Sequence, residues 1–151
     1  EIIVYMDDDD YYPPQRVSHA VNKLRSQPQV LCAGSSSIFL YFKRLGDIYQ
    51  FGPYGKTHAT AGTFAFKRKL LEQTSYDDEA AVAEEKKFLK NYTVPFIQLD
   101  PMKTILVFAH DYNTFDKHSL IGKESDLIRK TNMKVKTFFK DKGLMRFYIN
   151  I

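Results

Sequence analysis

The chain has 151 residues, 44% hydrophobic and 15% aromatic, with ten Tyr, twelve Phe and no Trp. That is enough apolar material for one domain with a core and too much for a disordered chain. Cys32 is the only cysteine, which excludes an intrachain disulfide and a cysteine-rich zinc site and suits a reducing, cytoplasmic compartment. No apolar run is long enough to span a bilayer, and no secretory signal is visible at the start. The net charge of +4 is uneven: residues 119–151 carry eight Lys/Arg against three Asp/Glu, so the rest is close to neutral. A basic tail suits nucleic acid or a membrane surface, but without interleaved aromatic motifs it reads as a solvated helix face. No nucleic-acid partner is expected.

In chain order, the apolar run Ile2-Ile3-Val4-Tyr5-Met6 predicts a strand buried on both faces. Pro13-Pro14 suits a helix start, and Val17, Ala20, Val21 and Leu24 fall at helical spacing, giving a helix over 15–26. Strands follow at 30–33 and Ile38–Phe42, with Asp47–Phe51 as partner of the latter, then a Gly/Pro loop at 52–55. A short strand at 63–66 and a short helix at 67–72 come next. Asp77-Asp78 can cap a helix over 79–91 whose one side carries Ala81, Phe88 and Tyr92. Strands are expected at 96–99 and 104–109, a polar loop at 110–120, a helix over 126–142 and a final strand at 145–151. The fold class is α/β: a mixed, mostly parallel central sheet flanked by helices. Residues 1–120 form the main unit, and 121–151 a basic helical extension and last strand packing on it.

The stretch Asp7-Asp8-Asp9-Asp10 closes the first strand. Four adjacent carboxylates repel one another, and a hard divalent cation compensates well, because Mg²⁺, Mn²⁺ and Ca²⁺ take oxygen ligands. Strand ends of open α/β sheets are also where ligands bind. The competing reading is a solvated acidic turn that caps the following helix.

The segment resembles the Asp-x-Asp motif of GT-A fold glycosyltransferases, family-2-like members in particular. Three further stretches resemble the same family in the expected order: "HATAGTFAFKRKLL" (58–71), "YDDEAAVAEEKKFL" (76–89) and "LVFAHDYNTF" (106–115). The set is most similar to enzymes encoded by large DNA viruses of algae, for which the location would be the host cytoplasm. The resemblance implies the C-terminal part of a GT-A, Rossmann-like domain that moves a sugar from a nucleotide-sugar donor, a UDP- or GDP-sugar, to a glycan or other hydroxyl acceptor. It implies Mn²⁺ or Mg²⁺ as cofactor, with Asp9, Asp7 and His110 as ligands. Asp7 would also contact the ribose or a metal-bound water, and Asp8 would line the donor site or act as a spacer. The alternative register, Asp8 and Asp10, stays open. His58 and Gly62 would line the donor–acceptor cleft, with Gly62 admitting a close approach. Glu85 and Glu84 would supply the general base, in competition with Asp77 and Asp78 and with a plain solvent-facing role beside Lys86-Lys87. In such domains the motif strand follows a nucleotide-binding half. Here it starts at residue 2, so that half is expected to be missing or supplied by another chain. Two other functions compete: a non-catalytic carbohydrate-binding or structural derivative, and a two-metal phosphoryl- or nucleotidyl-transferring enzyme.

Overall fold

The computed structural model describes residues 1–75, 85–109, 121 and 125–150. Its strands are β1 (Ile2–Val4), β2 (Cys32–Gly34), β3 (Ile38–Phe42), β4 (Asp47–Phe51), β5 (Ala65–Lys67), β6 (Phe96–Gln98), β7 (Leu106–Ala109) and β8 (Ile128–Lys130). The helices are α1 (Arg16–Ser26), α2 (Glu85–Phe88) and α3 (Lys142–Asn150). The architecture is α/β, but the strands form two four-stranded sheets, ordered β1-β5-β2-β6 and β7-β3-β4-β8. Both are mixed. β2–β6 and β3–β7 are parallel, whereas β1–β5, β2–β5, β3–β4 and β4–β8 are antiparallel, so the expected mostly parallel single sheet is corrected.

The chain crosses repeatedly from the first sheet to the second. β2 leads through Ser35–Ser37 into β3, and β6 leads through a 3-10 turn at Pro101–Lys103 into β7. Asp100 caps that turn, its carboxylate accepting from the Met102 N–H. A third crossing runs from β1 to Tyr11, which exchanges both backbone hydrogen bonds with Leu106 at the edge of β7 (3.1 and 2.8 Å). The apolar run 2–6 therefore yields an edge strand rather than one covered on both faces. β1 has one neighbour, its residues are half-buried, and Met6 is exposed. An unbroken apolar run cannot by itself distinguish these cases.

Helix α1 forms where expected, with Lys23 and Arg25 in its last turn opposing the helix dipole. Its inward face matches the predicted one only in part, at Ala20 and Leu24. Arg16, Ala20 and Leu24, spaced by four, are buried, while Val17 is exposed. β3 and β4 match their predicted bounds, and the hairpin closes through Gly46 at φ +68°, a left-handed position that favours glycine. The strand expected at 63–66 lies slightly later, as β5, after a 3-10 turn at Ala61–Thr63, and the short helix at 67–72 is a 3-10 helix, Arg68–Glu72. Of the helix expected over 79–91, the described part is Glu85–Phe88; residues 79–84 lie outside the described residues. So does the polar loop at 110–120.

The C-terminal expectations are exchanged. Residues 126–142 hold β8 and a 3-10 turn, Val135–Thr137, not a helix, and the segment expected as a final strand is α3. β8 extends the second sheet along β4, and Val135, Phe138 and Phe139 pack on Tyr11, Phe39 and Phe108. Asp141 caps α3, its Oδ1 accepting from the Leu144 N–H at 2.6 Å. Met145, Tyr148 and Ile149, at helical spacing, rest on the same core cluster. Among the described residues no helix is long and apolar enough to cross a membrane.

Candidate functional site

The acidic run occupies the crossing between the two sheets. The chain leaves β1 at Val4, paired with Ala65, and is captured by β7 at Tyr11. The four carboxylates divide sharply by environment. Asp7, Asp8 and Asp9 are exposed, whereas Asp10 is only 7% exposed. Asp10 Oδ1 accepts from the backbone N–H of Phe108 at 2.8 Å, on the edge of β7 that Tyr11 also joins. Asp10 is thus a fastening that satisfies a buried strand amide.

Asp7 is placed by a different contact set. Its backbone N–H donates to the Tyr12 hydroxyl at 2.8 Å, and that hydroxyl donates to the Gly62 carbonyl at 3.3 Å. A Cβ on Gly62 would stand 2.7 Å from Asp7 Oδ2, so the missing side chain is what lets the carboxylate lie over the turn. Burial raises the Tyr12 phenol above its ordinary pKa, which keeps it a neutral donor. On the same turn, the Ala61 N–H donates to Glu85 Oε1 at 3.1 Å. Two consecutive residues of the Ala61–Thr63 turn therefore meet carboxylates from elements far apart in sequence.

His58 completes this cluster. Its ring lies 5.1 Å from Tyr54 and 5.2 Å from Tyr92, centroid to centroid, and its Nδ1 is buried with no hydrogen-bond partner among the described residues. Burial lowers the imidazole pKa, and the Glu85 charge opposes the shift. The loop carrying Tyr54 and His58 is held by Gln98. Its amide nitrogen donates to the carbonyls of Lys56 and His58, each at 2.9 Å, and its oxygen accepts from the Ser36 N–H. From the other side the segment packs on Gly34, where a Cβ would come within 2.6 Å of Ala59 Cβ.

Beneath Asp7 and Tyr12 lies Arg16, 1% exposed. One terminal nitrogen donates to the carbonyls of Tyr5 (3.0 Å) and Phe64 (2.8 Å), tying the end of β1 to the approach to β5. The guanidinium stands over the Tyr12 ring at 5.8 Å, and its Nε and Nη1 are buried with no hydrogen-bond partner among the described residues. Burial brings its pKa down to about 10, with Tyr12 and Asp7 opposing the fall.

Of the predicted site residues, Asp7, Gly62, His58 and Glu85 come together, and Asp8 and Asp9 lie beside them on the exposed part of the acidic run. His110 and Glu84, with Asp77 and Asp78, lie outside the described residues. Among the described residues no group of three or more His, Cys, Asp or Glu is arranged to hold a metal ion. The sequence did not single out Arg16, Gln98 or Tyr92 for the site. Arg16 carried a faint signal, a position four residues before Ala20 and in line with it and Leu24 on the buried face of the helix. Compared with known proteins, the chain matches no family model, no curated protein and no solved structure.

Proposed function

We propose that the chain works as a metal-dependent glycosyltransferase of the GT-A kind, moving a sugar from a nucleotide-sugar donor to a glycan or other hydroxyl acceptor. One observation carries the reading: three stretches chosen from sequence as parts of one site converge on the Ala61–Gly62 turn, Asp7 over Gly62 and Glu85 on the Ala61 amide. Nothing in chain proximity requires that meeting.

The donor set suits a hard cation. Asp7 and Asp9 offer exposed carboxylate oxygens, and Mg²⁺ and Mn²⁺ commonly take one or two carboxylates and complete their shell with water and phosphate. The burial of Asp10 on the Phe108 amide favours Asp7 and Asp9 over the Asp8 and Asp10 register. When bound, such an ion would neutralise the charge that develops on the leaving diphosphate. The chain's own residues supply the rest. Glu85, with Oε1 engaged by the Ala61 N–H, keeps Oε2 to take the proton of an acceptor hydroxyl as it attacks the anomeric carbon. The Ala61 hydrogen bond orients that carboxylate, and Tyr12 orients the Asp7 backbone.

The test is calorimetric titration of the chain with Mn²⁺, alone and with uridine and guanosine diphosphates, beside Asp9→Ala. Uptake of Mn²⁺ that a diphosphate strengthens and Asp9→Ala abolishes supports the reading. No uptake under any of these conditions refutes it.

A further inference from the structure

The rings around His58 form a feature that the metal and base chemistry does not use. Tyr54 is 41% exposed, and His58 lies in tilted contact with both Tyr54 and Tyr92. The backbone works to hold them there. Helix α2 ends with the paired hydrogen bonds of a left-handed stop, Lys90 N–H to the Lys87 carbonyl and Asn91 N–H to the Lys86 carbonyl. One left-handed residue, Lys90, suffices for that stop, yet Asn91 and Tyr92 follow at φ 56° and 62°. Three successive non-glycine residues in this region are unusual, and the extra turn sets Tyr92 against His58. On the opposite side Gln98 pins the carbonyls that bracket Tyr54 and His58.

We infer that Tyr54, His58 and Tyr92 form a platform for one pyranose ring, whose hydroxyls bond the Glu85 carboxylate beside it. That this sugar is the acceptor rests on the glycosyltransferase reading; the platform itself does not. Aromatic faces take the apolar C–H face of a pyranose, while a carboxylate at the edge accepts from its hydroxyls. Burial keeps His58 neutral at physiological pH, so the middle ring presents no charge. A quaternary ammonium ligand is the chemical competitor, because tyrosines with a carboxylate also attract cations. The observed interplanar angles of 50° and 35° fall short of the near-perpendicular walls that enclose such a cation. A ligand seated on the platform would also bring a hydroxyl to Glu85, the group that holds the Ala61 amide next to Asp7.

The experiment is saturation-transfer NMR with calorimetry on the full chain, using the methyl glycosides of glucose, galactose, mannose and fucose and short oligosaccharides of each. It is run with chelator and no nucleotide. Binding of at least one sugar is expected, weakened about tenfold or more by Tyr54→Ala and by Tyr92→Ala. Tyr54→Ala removes an exposed ring and leaves the core intact. Phe147→Ala, which removes the 61%-exposed ring on α3, should leave binding unchanged. The platform is overturned if no sugar binds, if Phe147→Ala weakens binding as much as Tyr54→Ala, or if tetramethylammonium binds in place of the sugars. Sugar binding without Mn²⁺ uptake would retain the platform and remove the glycosyltransferase reading. Mn²⁺ and diphosphate binding without sugar binding would do the reverse.

Discussion

Asp10→Ala and Asp9→Ala should behave as opposites although the two residues are adjacent. Asp10 is buried and its Oδ1 accepts from Phe108 N–H at 2.8 Å; Asp9 is exposed. Removing Asp10 forfeits a charge-assisted hydrogen bond and leaves a strand amide without its acceptor, a loss of about 1.5–3 kcal/mol. It also removes one of four adjacent like charges, which returns on the order of 1 kcal/mol at the water-like screening set by the three solvent-exposed neighbours. The hydrogen bond wins, and Asp10→Ala should destabilise by roughly 0.5–2 kcal/mol, a fall in Tm of about 1–8 °C for a domain of this size. Asp10→Asn keeps a carbonyl acceptor and sheds the charge, so it should lie close to the parent protein. Asp9→Ala removes an exposed carboxylate rather than a buried one, so its Tm should fall less than that of Asp10→Ala while Mn²⁺ uptake is lost. The assay is thermal unfolding by circular dichroism, with and without Mn²⁺. Equal Tm for Asp10→Ala and the parent, or equal losses for Asp9→Ala and Asp10→Ala, would refute the division of the acidic run into a fastening and a ligand pair.

Four further outcomes follow from the same geometry. Gly62→Ala places a methyl 2.7 Å from Asp7 Oδ2 and must turn that carboxylate away, so Mn²⁺ affinity should drop several-fold while Tm barely moves; unchanged affinity would detach Asp7 from the site. Lys90→Gly relieves an exposed left-handed residue at the stop of α2; the relief of ~1–2 kcal/mol exceeds the glycine entropy cost of ~0.5–1 kcal/mol, so denaturant unfolding should show a net gain of about 0.5–1 kcal/mol. Cys32 is fully buried and burial pushes its thiol pKa up, so an aromatic disulfide reagent should label it only at the rate of unfolding. Burial lowers the pKa of both His19 and His58 below 6.5, so the unfolded chain binds protons first; stability is complete above that value and declines as pH falls below it. Denaturant titrations should flatten over that range in His58→Gln, and an unaltered slope would contradict the burial of the ring.

Local signals in the sequence sufficed where they were unambiguous. The β3–β4 hairpin was legible because two apolar, aromatic runs flank a short polar link with Gly46. Helix α1 was legible from Pro13-Pro14 and its periodicity, and its inward face was legible at Ala20 and Leu24 but not at its first turn. Val17 looks like a core residue by hydropathy, yet Arg16 takes the inward place, where it donates to the carbonyls of Tyr5 and Phe64 at the ends of β1 and β5. The C-terminal exchange had a readable clue: Asp141 stands three residues before Leu144 and caps α3, and Met145, Tyr148 and Ile149 recur at helical spacing. β8 had no such clue, since three residues gain their conformation from pairing with β4, a contact between distant parts of the chain.

The acidic run illustrates what sequence can and cannot say about a site. Its composition points to a cation, but not to which carboxylates are exposed to meet one. That is decided by anchoring at both ends of the crossing. On one side Arg16 binds the Tyr5 carbonyl and places a desolvated positive charge near Asp7; on the other, Asp10 and Tyr11 lock to β7. The span between is short, so Asp7, Asp8 and Asp9 cannot separate far, and their mutual repulsion is imposed by the fold before any cation arrives. On the proposed reading, a cation bound there would gain the relief of that repulsion without the cost of gathering the ligands, which is the energetic sense of preorganisation. Arg16→Met should therefore loosen the loop and weaken Mn²⁺ uptake even though it removes a repelling positive charge. If instead Mn²⁺ bound more tightly to Arg16→Met, the long-range charge would outweigh the anchoring, and Arg16 would be a brake on the site rather than its support.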